Sequence, residues 1–176
     1  MGVVTAFLQS NVEAEVYVRQ AKGYEIMDEV TGLPLVMKLK KSLYGLKQSP
    51  RNFGNAVAKG IKDIGFTALL SDPCVCVYGA GPTYAILCVY VDNCTLAGTT
   101  PSVVQDMKKQ LSNKFKMTDG GPAELLLGME IAQSDGEITV SQHKHVMNIL
   151  DKYQMTNCKP VATPGCGPEI EPGNAT

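Results

Sequence analysis

An acidic residue follows directly after a long apolar run near the middle of the chain. Asp92 and Asn93 come after Thr83–Val91, and a second short run, Cys94–Gly98, follows them. Two strands joined across Asp-Asn predict a tight β-hairpin, because both residue types tolerate a positive φ. A carboxylate at the tip of such a hairpin can bind a divalent cation, since Mg²⁺ is held by one or two carboxylates plus substrate phosphates. An ordinary turn without a ligand is the equal alternative.

Positive charge is concentrated in one segment of a nearly neutral chain. The formal net charge is −1, yet residues 31–62 contain seven bases and no acid. These bases are Lys38, Lys40, Lys41, Lys47, Arg51, Lys59 and Lys62. Such a segment predicts a surface that faces anions, and the alternative is a solvated helix face with chance clustering. The net charge itself excludes a protein that binds nucleic acid through overall charge alone.

The cysteines favour apolar packing over metal binding. None of the six forms the C-x-x-C pair typical of zinc sites. Four of them lie in or beside strand-like apolar runs, where cysteine acts as a small hydrophobe. The N-terminus lacks the pattern of a secretory signal, and no apolar run reaches transmembrane length. We therefore expect reduced thiols, an intracellular location in cytoplasm or nucleus, and no membrane partner.

Helix and strand patterns alternate along the 176 residues, whose 44% apolar content is enough to bury a core. Apolar spacing predicts a helix opened by Pro50 and closed by Gly65, and a second helix beginning at Pro101 with Thr100 as N-cap. A last helix is predicted over Gln142–Tyr153. Strands are predicted at Leu35–Leu39, Pro73–Tyr78, Thr83–Val91, Cys94–Gly98, Leu125–Ile131 and Glu137–Ser141. This order predicts an α+β fold, an antiparallel sheet with helices on one face.

A series of motifs resembles the reverse transcriptase of copia-type long-terminal-repeat retrotransposons. The resemblance covers roughly Val3 to Pro164 and is most specific over Leu39–Arg51. Further matching stretches are Thr5–Leu8, Glu13–Tyr17, Asp72–Val75, Tyr90–Asp92, Leu96–Gly98, Leu127–Ile131, Ser141-Gln142 and Lys159–Pro164. The resemblance implies a polymerase palm domain that acts as an RNA-directed DNA polymerase. It also implies Mg²⁺ or Mn²⁺ as cofactor.

Two of the three metal-binding positions implied by the resemblance have lost their carboxylates. In the family, one Asp on the first strand and an Asp pair on the hairpin hold two cations, which stabilise the attacking and leaving oxygens. Here those positions are Gly2, Asp92 and Asn93, so Asp92 is the sole catalytic and metal-binding carboxylate left. A residue preceding Met1 in a longer chain is the alternative source of the first carboxylate. With one carboxylate, we expect no tightly bound cation and little or no polymerase activity.

Other family positions are retained and predict contact with nucleic acid. The resemblance assigns nucleotide or template contacts to Phe7, Gly45, Lys47, Ser49 and Arg51, and core packing is the alternative for Phe7. Lys38, Lys40 and Lys41 are predicted to meet the nucleic-acid backbone. The residues predicted to grip the primer end, or to form a plain hairpin, are Leu127, Gly128, Met129 and Glu130. Gly54 stands where the family has an aromatic residue, which predicts loosened packing at this helix.

The resemblance divides the chain into a palm-like domain (1–140), the start of a thumb or connector helix (141–164) and a disordered tail (165–176). Fingers and most of the thumb are expected to be missing. The first function predicted is a degenerate palm that binds an RNA/DNA hybrid or single-stranded nucleic acid weakly. One alternative is a co-opted, non-enzymatic domain that binds a protein partner or a second copy through the uncovered sheet. The other is part of an active RNA-directed DNA polymerase.

Overall fold

The structure is a computed structural model that describes residues 1–162. The chain divides into two compact units; the first ends at Pro122 and the second begins at Ala123. The tail predicted at 165–176 lies outside the described residues. The functional boundary predicted at residue 140, between palm and thumb, remains a prediction. None of the helices in residues 1–162 is long and apolar enough to cross a membrane.

An antiparallel six-stranded sheet is the framework of the first unit, in the order β4-β5-β6-β7-β1-β8. A separate ribbon pairs β2 with β3. The strands of this unit are β1 (Gly2–Val3), β2 (Tyr17–Arg19), β3 (Val36–Lys38), β4 (Thr67–Ala68), β5 (Val75–Tyr78), β6 (Ala85–Tyr90), β7 (Asn93–Gly98) and β8 (Met117–Thr118).

Two helices of the first unit begin and end where local signals predict. Helix α1 (Ser49–Ile64) has Pro50 in its first turn, where the missing N–H leaves no bond unmade, and ends at Gly65 with φ 105°. Helix α2 (Pro101–Lys114) begins after Thr100, whose hydroxyl oxygen accepts from the Val103 N–H at 3.3 Å. The predicted helix bounds and the predicted N-cap are therefore confirmed.

The core of the first unit lies between one face of the sheet and both helices. Residues that pair across antiparallel strands have their side chains on the same face of the sheet. Successive residues along one strand alternate between the two faces. The register pairs Cys76 with Leu87 and Val89 with Cys94, so these residues share the face turned to the helices. The buried core consists of Val3, Ala6, Phe53, Val57, Ile61, Phe66, Cys76, Ala85, Leu87, Cys94, Met107 and Leu111.

The second unit is a three-stranded antiparallel sheet followed by a helix. Its elements are β9 (Leu125–Leu126), β10 (Met129–Ser134), β11 (Glu137–Ser141) and α3 (His143–Lys152). The single strand predicted over Leu125–Ile131 is wrong, because the chain reverses at Leu127 and Gly128, both with positive φ. The strand at Glu137–Ser141 and the last helix are confirmed. Across the described residues the fold is α+β with antiparallel sheets, as the sequence predicts.

Candidate functional site

The predicted hairpin exists, but its turn is shifted by one residue. Tyr90 pairs directly with Asn93, so the two turn residues are Val91 and Asp92, and the prediction of a turn across Asp92 and Asn93 is wrong. The positive φ falls on Val91, at 53°. A left-handed backbone is costly for a β-branched side chain, so surrounding contacts must hold it there. The cross-strand register therefore overrides the local turn preference of Asp-Asn.

The structure brings together the three positions to which the family motif assigns carboxylates. Gly2 pairs with Asn93 across β1 and β7, and the Val3 N–H donates to the Asp92 carbonyl oxygen at 2.7 Å. Val3 and Cys94 are buried on the helix-facing side of the sheet. Because faces alternate along a strand, Gly2 and Asn93 lie on the opposite face, away from the helices. The candidate site is therefore an open sheet surface beside the turn that carries Asp92.

The loop before α1 is held by buried polar groups that sequence reasoning missed. Ser42 is fully buried; its hydroxyl donates to the Asn11 carbonyl oxygen and accepts from the Asn52 side-chain amide, each at 3.2 Å. Ser49 is also fully buried, and its hydroxyl donates to the Leu43 carbonyl oxygen at 2.6 Å. The Ser49 hydroxyl therefore has a structural role, and its nucleotide or template contact stays a prediction. No local pattern in the sequence reveals these contacts, because the burial of these groups depends on segments that are distant along the chain.

The same loop and the first turn of α1 each present an exposed basic side chain. Gly45 has φ 95°, and no atom of the chain lies within 4 Å of an added Cβ. Glycine is therefore favoured here by the left-handed backbone conformation and not by close packing within the chain. Lys47 and Arg51 are exposed on either side of the N-terminus of α1, whose first turn has no acidic residue. Unpaired backbone N–H groups at a helix start favour anions, so both side chains lie where a phosphate is electrostatically favoured.

Phe7 is half-buried and belongs to an aromatic cluster. Phe7 lies in a 3₁₀ helix, Ala6–Gln9, which follows a left-handed Thr5. The Phe7 ring lies 4.5 Å from the ring of Tyr44 and 6.0 Å from that of Phe53, centroid to centroid. Phe7 thus contacts the core, as the packing alternative requires, while Tyr44 remains exposed beside it.

Comparisons with known proteins point to one family. The family model described as "Reverse transcriptase (RNA-dependent DNA polymerase)" matches residues 1–166. The chain belongs to the reverse transcriptase family. The retrovirus-related Pol polyprotein from transposon TNT 1-94 of Nicotiana tabacum is 36% identical over 170 residues, which are 95% of this chain and 13% of that protein. No solved structure matches the chain significantly.

Two further relatives confirm the copia-type resemblance. The Pol polyprotein from transposon RE1 of Arabidopsis thaliana is 31% identical over 93% of this chain and 11% of its own length. The putative transposon Ty5-1 protein of Saccharomyces cerevisiae is 30% identical over 94% of this chain and 53% of its own length. The chain thus spans about half or less of the length of these relatives, and it represents the reverse-transcriptase region of retrotransposon polyproteins.

The positions that the family motif assigns to metal binding do not fit a two-cation centre in this chain. Asp92 is half-buried and supplies a carboxylate, Asn93 supplies a neutral amide oxygen, and Gly2 supplies no side chain. Within residues 1–162 no three His, Cys, Asp or Glu side chains come close enough together to hold a metal ion. Two divalent cations need several anionic oxygens to balance their charge. The space for a missing carboxylate exists, because a Cβ added to Gly2 meets no atom within 4 Å.

The three lysines predicted to bind the nucleic-acid backbone differ in their surroundings. Lys38 forms an exposed ion pair with Glu15 and lies 5.9 Å above the Tyr17 ring. Lys41 donates to the Asn11 side-chain oxygen at 2.9 Å, and this partner carries no charge. Lys40 is exposed. Lys40 and Lys41 are therefore better placed than Lys38 to offer uncompensated charge to a phosphate.

The predicted primer-gripping residues lie in the second unit. Leu127 and Gly128 form the exposed two-residue turn between β9 and β10, with φ 51° and 80°. Met129 begins β10 and pairs with Leu126. The Glu130 carboxylate accepts from the Lys144 backbone N–H at 2.9 Å, so it caps the start of α3. The turn is free to meet a ligand, whereas Glu130 has a structural task within its own unit.

Proposed function

We propose that this chain is a reverse-transcriptase domain that binds nucleic acid but does not polymerise it. The loss of polymerase activity is inferred from one observation. The three positions that require carboxylates converge, and only Asp92 retains one. A single carboxylate leaves the charge of two cations uncompensated, so the in-line displacement loses its main electrostatic stabilisation.

Retained binding is supported by the charge and exposure of the segment around the start of α1. Lys40, Lys41, Lys47 and Arg51 are exposed, and none of them has an acidic partner within ion-pair distance in the described residues. Phosphate neutralisation by such residues supplies affinity without base specificity and releases counterions. The expected ligand is a short RNA/DNA hybrid or a single strand, bound weakly and with steep salt dependence.

Fluorescence anisotropy of a labelled RNA/DNA hybrid at low and physiological salt tests this proposal. Lys47→Glu/Arg51→Glu should weaken binding at least about tenfold and reduce the slope of log K against log salt by about 1.8, for two lost phosphate contacts. Lys59→Glu/Lys62→Glu is the matched control, with the same charge change about 16 Å further along α1. Affinity that is independent of salt, or an equal loss in both variants, would contradict the proposed interface.

Primer extension tests the missing activity separately. With a primed RNA template, deoxynucleotides and either Mg²⁺ or Mn²⁺, the chain should give no extended product. Extension that Asp92→Ala abolishes would establish the alternative, an active RNA-directed DNA polymerase. The two assays are independent, because binding can persist when the metal centre is incomplete.

A protein-interaction function is the second candidate, and exposed apolar side chains in the connection between β2 and β3 favour it. Tyr24, Ile26, Val30 and Leu33 are between 65% and 93% exposed. Exposed apolar side chains that are concentrated in one short segment favour an interaction site. Light scattering should then report a dimer that Ile26→Asp/Leu33→Asp converts to a monomer. A monomer at all concentrations, with no captured partner, counts against this function.

A further inference from the structure

An apolar cavity of about 380 Å³ lies on the helix-facing side of the sheet, away from the face that carries Gly2 and Asn93. Its walls come from the 3₁₀ helix, from one side of α1, from Pro73 and Cys74, and from the end of the β6–β7 hairpin. The lining includes Phe7, Phe53, Gly54, Val57, Val89 and Val91. The volume falls within the range of small-molecule sites, which hold ligands in clefts of about 300–1,000 Å³.

The cavity is open because α1 lacks a side chain at one position on this wall. Gly54 lies inside a 16-residue helix, where glycine is unfavourable compared with alanine. A Cβ built on Gly54 meets no atom within 4 Å, so nothing in the unit fills the space that a larger residue would occupy. Ala58, which lines the cavity about one turn further along the helix, is also small.

The chemistry of the walls selects a neutral ligand. Among the residues that line the cavity, all within the described part of the chain, none carries an ionisable amine, guanidinium or carboxylate. A charged or strongly polar ligand would therefore lose its hydration without gaining partners. The cavity is partly open to solvent, so a ligand that covers its apolar lining removes that surface from water, which is favourable. The Phe7 and Phe53 rings, edge to face at 6.0 Å, offer aromatic contacts.

From this volume and lining we propose that the cavity binds a neutral, planar aromatic molecule of about two fused rings. A cavity of about 150 Å³ already accepts a single benzene ring. The larger volume here matches two rings with their outer edge towards the opening. The occupant also contacts Val91, the strained turn residue directly before Asp92, so binding on this face is transmitted to the hairpin turn.

Indole is a suitable probe, and Cys74 is a built-in reporter. Cys74 lines the cavity and is exposed, whereas Cys158 is exposed in the second unit. Saturating indole should slow alkylation of Cys74 by N-ethylmaleimide at least about threefold and leave Cys158 unchanged. Amide NMR signals of Val89, Val91 and Asp92 should shift with the same saturation curve. No protection of Cys74, equal protection of both thiols, or unshifted turn signals would overturn the proposal.

Variants of α1 test the location of the site. Gly54→Leu and, independently, Ala58→Leu fill the cavity and should each lower indole affinity at least about tenfold, which corresponds to 1.4 kcal/mol. Asn55→Leu adds the same side chain to an exposed position that does not line the cavity, so its affinity should match that of the unmodified chain. Circular dichroism verifies folding of each variant. Unchanged affinity in both cavity-filling variants would place indole elsewhere and refute the site.

Discussion

Replacing Gly2 and Asn93 by Asp would return carboxylates to both positions that lack them. The two residues are directly paired and share the sheet face turned away from the helices. Asn93 is exposed, and a Cβ on Gly2 meets no atom within 4 Å, so the variant should fold. Together with Asp92, the new side chains form the cluster of three carboxylates that the unmodified chain lacks.

The size of the effect follows from the register. Cβ atoms of directly paired residues lie about 5 Å apart. With an effective dielectric constant between about 40 and 80, two carboxylates at that separation repel by about 0.8–1.7 kcal/mol. Without metal, the melting temperature of the variant should fall by about 2–7 °C. A cation present at a hundred times its Kd adds about 2.7 kcal/mol, which should raise the melting temperature by about 5–11 °C.

Thermal unfolding followed by circular dichroism, in EDTA and in millimolar Mn²⁺, measures both effects. Gly2→Asn is the matched control, because Asn has nearly the shape of Asp but carries no charge. Neither this control nor the unmodified chain should respond to Mn²⁺ beyond the response of a reference protein without a metal site. The comparison therefore separates the new charges from the added side chain.

Two results would refute the reasoning. A rise in melting temperature of the unmodified chain equal to that of the Gly2→Asp/Asn93→Asp variant would show that one carboxylate suffices for tight binding. A variant that is neither destabilised in EDTA nor stabilised by Mn²⁺ would show that the new carboxylates do not converge. In that case the pairing of β1 with β7 would be wrong.

Three further predictions concern stability. Thr100→Ala removes the N-cap of α2 and should cost about 1 kcal/mol, or about 2–4 °C in thermal unfolding, whereas the exposed Ser112→Ala should change little. Gly45→Ala should destabilise by about 1 kcal/mol in urea titrations because of its φ of 95°, whereas Gly54→Ala, in a helix and in open space, should stabilise by a similar amount. Burial raises the pKa of the Cys94 thiol from 9.0 to about 11, so the unfolded chain releases this proton first as pH rises. The free energy of unfolding should therefore fall by about 2–3 kcal/mol between pH 9 and pH 11. Cys94→Ala should remove this part of the decline. If the variant and the unmodified chain show the same pH profile, the burial effect is excluded.

Local patterns predict the helices of this protein well, because their signals lie within a few residues of each other. Pro50, the apolar spacing of α1 and Gly65 give its bounds, and Thr100 gives the start of α2. Strands are predicted less accurately. The run Leu125–Ile131 contains enough apolar residues for one strand, but the positive φ at Leu127 and Gly128 divides it into two. Pairing with neighbouring strands, which composition does not reveal, decides where such a run turns.

The candidate site shows the same limit. Its residues could be named from the sequence, because the copia-type motifs occur in order and include the Tyr90–Asp92 stretch. Their accessibility could not be predicted. Ser49 carries a family position but is fully buried, and Lys38 belongs to the basic segment but is paired with Glu15. Burial and ion pairing depend on segments distant in sequence, so they follow only from the folded chain.

The sequence by itself determined the family, the α+β class, the helix bounds and the loss of two carboxylates, since each of these depends on residue type and short-range order. The tertiary structure alone decided that Gly2 lies opposite Asn93, that Val91 and not Asn93 shares the turn with Asp92, and that an apolar cavity opens at Gly54. These features depend on strand register and on the packing of a helix against a sheet. Register couples residues about ninety positions apart, and no local pattern in the chain records that coupling.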